Sequence, residues 1–147
     1  MTTVAACFSK GEIAADSMVT LEGVCYSVNK LRQGVSSVFG ATGNWDACLK
    51  FLQAIEKNTF DEADAEVTVL ELRKDGLWVY EGCIIPAKIK NDYYAIGTGA
   101  AYAIAAMRLG HTPTEAVALA CEFDPGSRGP VDTLHLQRIS DVKKRRN

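Results

Sequence analysis

The stretch Met1-Thr2-Thr3-Val4-Ala5-Ala6-Cys7-Phe8-Ser9-Lys10-Gly11-Glu12-Ile13-Ala14-Ala15-Asp16 decides how this chain is read. Two β-rich runs, Thr3 to Phe8 and Glu12 to Met18, flank Ser9-Lys10-Gly11, a trio suited to reversing the chain. The protein is therefore expected to open on paired strands. The same stretch carries chemistry. If Met1 is removed, Thr2 becomes a free N-terminal threonine, with a hydroxyl nucleophile and an α-amine base on one residue. An amine of unperturbed pKa about 7.7–8.0 can take the hydroxyl proton near neutral pH. Because Thr2 is β-branched, its hydroxyl points in few directions.

Outward from this start, Cys25 to Leu31 and Val35 to Phe39 read as further strands. Asn44 is placed to cap a helix whose apolar positions Trp45, Cys48, Leu49, Leu52 and Ile55 recur at the spacing of one buried stripe. Asp61-Glu62-Ala63-Asp64 reads as a solvated loop. Val67 to Arg73 and Leu77 to Tyr80 surround Lys74-Asp75-Gly76, and Asp-Gly between β-rich runs predicts a hairpin. Tyr93 to Ile96 is a strand, and Gly97-Thr98-Gly99 opens a helix over Ala100 to Leu109, whose small side chains let it lie close to a sheet. Thr112-Pro113-Thr114-Glu115 has the form of a capping box with proline at the first helical position, starting a helix that ends near Glu122. A tight loop, Asp124 to Pro130, precedes a last strand, Val131 to Ile139. Strands, helix, strands, two helices and a strand suggest two sheets face to face with helices outside.

The 147 residues suit one domain, taken as residues 1–142, with Lys143-Lys144-Arg145-Arg146-Asn147 as a solvated basic tail. A net charge of -2 gives no global reason to expect nucleic acid as a partner. No run approaches the roughly 20 apolar residues of a membrane span, and the N-terminus lacks a secretory pattern. The five cysteines are odd in number and widely spaced, which fits reduced core thiols and a cytoplasmic setting. With His111 and His135 the only histidines and no Cys-x-x-Cys, neither a zinc cluster nor a Ser-His-Asp triad has a sequence signature.

In their order along the chain, Thr2-Thr3-Val4, Ala14-Ala15-Asp16-Ser17, Asn29-Lys30-Leu31, Ala41-Thr42-Gly43, Ala95-Ile96-Gly97-Thr98-Gly99 and Asp124-Pro125-Gly126-Ser127-Arg128-Gly129 form a fairly specific set. On these motifs, nearly end to end, the chain resembles proteasome β-subunits and the bacterial HslV-type peptidases. The resemblance implies an α+β fold, the four-layer αββα sandwich of the N-terminal-nucleophile hydrolases. It also implies a threonine endopeptidase subunit of a self-compartmentalising ring. Thr2 would be nucleophile and general base, with Lys30 and Asp16 as electrostatic partners. A lysine ammonium beside the α-amine would lower the amine's pKa, and a buried aspartate would keep the lysine charged.

The resemblance places an oxyanion donor in Gly40-Ala41-Thr42-Gly43, read as a turn at a strand-to-helix junction; the N–H of Thr42 or of Gly43 could serve, and Gly43 is taken. Thr98 falls where relatives carry a serine near the nucleophile, and Asp124 with Ser127 where they carry a second polar pair. Val19, Val28 and Arg32 would line the pocket for the residue before the cut bond, giving a modest apolar pocket with a basic rim. No cofactor is expected and no metal ligands are assigned. The partners implied are further copies of the chain in a ring, single or double, an unfolded polypeptide substrate, and a separate ATP-dependent unfoldase, since this chain has no phosphate-binding loop.

Bland readings stand beside these. Thr2 could be only the first residue of an edge strand, and Asp124 to Gly129 only a turn. Gly97-Thr98-Gly99 is not read as a dinucleotide loop, because Tyr102 stands where that motif needs glycine or alanine. Two other functions remain open: a non-catalytic ring scaffold or binding subunit that retains Met1, and an amidase acting on small amides.

Overall fold

A computed structural model describes residues 2–56, 67–82 and 85–136. The elements are β1 (Thr3–Cys7), β2 (Glu12–Ala15), β3 (Met18–Leu21), β4 (Val24–Ser27), β5 (Leu31–Gln33), β6 (Val38–Gly43), α1 (Trp45–Glu56), β7 (Val67–Arg73), β8 (Gly76–Glu81), β9 (Ala87–Ile89), β10 (Tyr93–Gly97), α2 (Ala100–Arg108), α3 (Pro113–Phe123) and β11 (Asp132–His135). They form a four-stranded sheet of order β10-β1-β2-β11, a five-stranded sheet of order β5-β6-β7-β8-β9, and the separate hairpin β3-β4. Every pairing is antiparallel.

The period-two alternation of the strands sorts side chains between layers. Val4, Ala6, Ile13, Ala15 and Ile96 face inward from the first sheet and meet Leu31, Val38, Leu70, Leu72, Leu77 and Val79 from the second. Fully burying such an aliphatic side chain contributes about 1.5–3 kcal/mol, so this inter-sheet layer is the main apolar core. On the far side of the first sheet, Ala5, Ala14 and Ala95 pack against Ala103, Ala106 and Met107 of α2 and Ala116 and Val117 of α3. Alanine on both surfaces lets helix and sheet backbones approach closely. On the far side of the second sheet, Phe39, Ala41, Val67, Val69 and Tyr80 receive Ala47, Cys48, Phe51 and Leu52 of α1. Helices, sheet, sheet and helix make the expected αββα sandwich.

Local signals explain several boundaries. Asn44 Oδ1 accepts from the Ala47 N–H at 3.2 Å and starts α1. Thr112 and Glu115 cap each other reciprocally at the start of α3, with Pro113 at its first turn. Lys74-Asp75 reverses the chain between β7 and β8, and Gly76 opens β8 paired with Arg73.

Three readings are corrected. The run from Glu12 to Met18 is not one strand, because the chain leaves the first sheet at Asp16 and starts the β3-β4 hairpin at Met18. The run from Cys25 to Leu31 is likewise divided between β4 and β5. Gly40, Ala41 and Thr42 form no turn; they lie in β6, paired with Leu70, Val69 and Thr68. Of the cysteines, Cys7 and Cys48 are buried as expected of core thiols, whereas Cys25 is exposed on β4. Cys83, the acidic loop at 61–64, the end of the last strand and the basic tail lie outside the described residues.

Candidate active site

The β1-β2 pairing sets Val4 opposite Ala15, so the next residues out, Thr3 and Asp16, face each other at the end of the ladder. They bond reciprocally: the Thr3 N–H donates to Asp16 Oδ1 at 3.0 Å, and the Asp16 N–H donates to the Thr3 carbonyl at 3.1 Å. Asp16 Oδ2 accepts from the N–H groups of Met18 at 3.3 Å and Arg128 at 3.1 Å, which locks the carboxylate in place. Lys30, immediately before β5, reaches into this corner. Its Nζ donates to Asp16 Oδ1 at 3.0 Å, to the Met18 carbonyl at 2.6 Å and to Thr2 Oγ1 at 2.9 Å.

The ion pair is wholly enclosed, with Lys30 1% and Asp16 0% exposed. Burial pushes the Lys30 ammonium below the ordinary lysine value, while the charge and hydrogen bond of Asp16 act in the opposite direction. An ammonium has three protons to donate, and all three of Lys30 have acceptors here. One of them is the hydroxyl oxygen of Thr2.

Glycines make room for the amino-terminal residues. At Gly97, in the left-handed region with φ of +95°, a Cβ would lie 2.0 Å from the Thr2 carbonyl oxygen. A Cβ at Gly99 would lie 2.0 Å from Thr3 Oγ1. The motif that superficially suggested a phosphate loop is thus the floor on which Thr2 and Thr3 rest.

Thr98, Asp124 and Ser127 come together as a second cluster. Ser127 Oγ and Thr98 Oγ1 donate to Asp124 Oδ2 at 2.6 and 2.7 Å, and the Gly126 N–H donates to Oδ1 at 3.3 Å. Burial raises the pKa of Asp124, but these donors outweigh it and hold the carboxyl below the usual range. Ser127 Oγ also lies 2.7 Å from Thr3 Oγ1. The cluster therefore braces β1 one residue beyond Thr2.

A cleft of about 310 Å³ opens over Thr2 and Lys30, lined by β3, the end of β6 and the start of α1. Gly43 and Val19 line it; Val28 and Arg32 are not among its lining residues. The Val28 N–H is bonded to the Ser17 carbonyl, and Arg32 turns its guanidinium onto the carbonyls of Asn29 and Leu31. Sequence reasoning missed Tyr26, Trp45 and Asp46, which the cleft does include. Trp45 was read only as part of the buried stripe of α1, and Asp46 is visible in the sequence as an acidic residue in a helix's first turn. Cys48 borders the cleft as a neutral thiol, its pKa pushed up to about 11 by burial. No cluster of three or more metal-ligating side chains is found among the described residues.

Solved structures share this architecture. BPH from Thiobacillus denitrificans in complex with epoxomicin superposes with a TM-score of 0.70 at 20% identity, covering 93% of this chain and 100% of its own. BPH alone gives 0.67 at 20% identity over 92% of this chain and 99% of its own. HslV from Trypanosoma brucei gives 0.67 at 18% identity over 93% and 100%. The chain has the proteasome-type, HslV-like fold. No family profile matches the sequence, and no curated protein matches it. The likeness is one of fold, and the chemistry must be argued from the residues. No described helix is long and apolar enough to cross a membrane.

Proposed function

We propose that this protein is a threonine-type endopeptidase subunit of a self-compartmentalising, proteasome-like ring, active once Met1 is removed. The observation that carries the reading is the Lys30 ammonium. It is buried, paired with Asp16, and 2.9 Å from Thr2 Oγ1 at the base of an open cleft. A solvated lysine would not hold that geometry.

With Met1 attached, the Thr2 nitrogen is an amide and no base. Removal exposes an amine that takes the hydroxyl proton while Thr2 Oγ1 attacks a peptide carbonyl. The Lys30 charge lowers the amine's pKa and stabilises the developing alkoxide. The N–H of Gly43 is the proposed donor to the oxyanion. The protonated amine passes its proton to the departing amine, leaving an ester on Thr2. The same amine then deprotonates water, which hydrolyses the ester and frees the second product. Thr98, Asp124 and Ser127 are assigned to positioning, because their bonds run to one another and to Thr3.

Closure of a heterologous interface into a ring, single or double, would confine these sites in a chamber that admits unfolded chains. An ATP-dependent unfoldase would be a separate partner, and the setting cytoplasmic. The test is intact mass combined with turnover of a fluorogenic peptide. Loss of Met1, a threonine-directed electrophile adding once at Thr2, and inactivity of Thr2→Ala are expected. Retained Met1, or activity persisting in Thr2→Ala, would overturn the reading.

A further inference from the structure

The lining of the cleft assigns a charge preference. Among its described lining residues the charged ones are Lys30 and Asp46. Lys30 offers no charge to a substrate side chain: it is 1% exposed, paired with Asp16, and its three protons are directed at Asp16, Met18 and Thr2. Cys48 is held as a neutral thiol. Arg32, expected on sequence to give a basic rim, is turned away onto backbone carbonyls.

Asp46 differs on every point. It is exposed, and its carboxylate has no hydrogen bond or ion pair among the described residues. Lys50, one turn along α1, makes no ion pair with it. Asp46 lies in the first turn of α1. Apolar Met18, Val19 and Leu21 and the rings of Tyr26 and Trp45 share the same cleft.

From this we propose that the cleft selects a cationic side chain, arginine or lysine, on the residue whose carbonyl Thr2 attacks. That side chain starts one carbon from the carbonyl, so it enters the cleft that opens over Thr2. Its methylene stem would lie on the apolar wall, as amphipathic side chains do, with the rings able to flank the cation. Its charged head would pair with Asp46. The inference rests on the proposed peptidase reading for its catalytic form, but the binding preference can be measured without turnover.

The experiment compares peptides that differ only before the scissile bond, carrying arginine, its neutral isostere citrulline, leucine or glutamate. Turnover is followed on the processed wild-type protein, and binding to Thr2→Ala is followed by calorimetry. Arginine is expected to exceed citrulline by about tenfold in kcat/KM and in affinity, with the margin shrinking as salt rises. Asp46→Asn should remove the margin, and Asp46→Lys should shift preference toward glutamate. Equal binding of arginine and citrulline peptides, binding of neither, or a margin that survives in Asp46→Asn would overturn the proposal. Absence of turnover with every peptide, while Thr2→Ala still prefers arginine, would count against the peptidase reading and leave the charge preference standing.

Discussion

Two charged clusters, each built on a buried carboxylate, can be compared across the molecule. One is Lys30 with Asp16. The other is Glu71 with Arg73, on the outer face of the second sheet: Glu71 is only 4% exposed and accepts from Ser37 at 2.7 Å, Arg73 at 2.6 Å and Tyr80 at 3.0 Å. Arg73 also donates to Tyr80 and stacks 4.2 Å above the Trp78 ring. Every partner in that second network is another structural side chain, and none lines the cleft. In the first cluster one bond of the cation goes to a hydroxyl that borders open space. A buried carboxylate is common to both, so it does not by itself distinguish a candidate site from scaffold. What sets the first cluster apart is a hydroxyl placed between the buried charge and an open cleft.

The sharpest way to break this comparison is to remove one member of each cluster. Lys30→Met should lower peptide turnover by more than about a thousandfold, as loss of a unit acting with the nucleophile does. It should also cost about 3–5 kcal/mol of stability by leaving Asp16 buried and unpaired, read from urea unfolding. Glu71→Gln should cost about 1–3 kcal/mol through weakened bonds to Arg73, Tyr80 and Ser37, yet leave kcat/KM of the folded protein within about twofold. Equal loss of activity in both variants would erase the distinction between site and scaffold.

Asp124 tests an intermediate case, a buried carboxylate that braces the strand carrying Thr2. Its native pKa lies below the ordinary carboxylate value. A depressed carboxyl contributes stability that is present above the unfolded value of about 3.9 and is lost as pH falls through the native one. Asp124→Asn should therefore flatten the acid limb of the stability curve below about pH 4, measured by unfolding midpoints across that range. Ser127→Ala removes the hydroxyl shared with Thr3, and about 1 kcal/mol of destabilisation is expected, with a fall in kcat larger than any change in KM.

How much of this was legible in the sequence follows the reach of each signal. Asn44, the Thr112-Glu115 box and the Asp75-Gly76 turn are short-range devices, and the structure has an element boundary at each. The two-sheet sandwich followed from the order of elements. The convergence of Thr2, Asp16 and Lys30 required a family resemblance, because they meet through pairing between strands far apart in sequence. Register was the blind spot. Nothing local says that Gly40 to Thr42 will be zipped to β7, or that a strand-like run breaks at Asp16. The lining of the cleft was out of reach for the same reason: Arg32 and Asp46 are both visible in the sequence, but which of them borders the cleft depends on packing across layers.

The amino-terminal strand runs between two neighbours in its sheet, and Thr2 emerges at the base of the cleft. Any affinity handle fused ahead of Thr2 would therefore be joined to a residue that lines the cleft. On the proposed peptidase reading, even a few residues left ahead of Thr2 keep its nitrogen an amide, so a preparation carrying them is expected to fold and to stay inactive until it is trimmed back to Thr2.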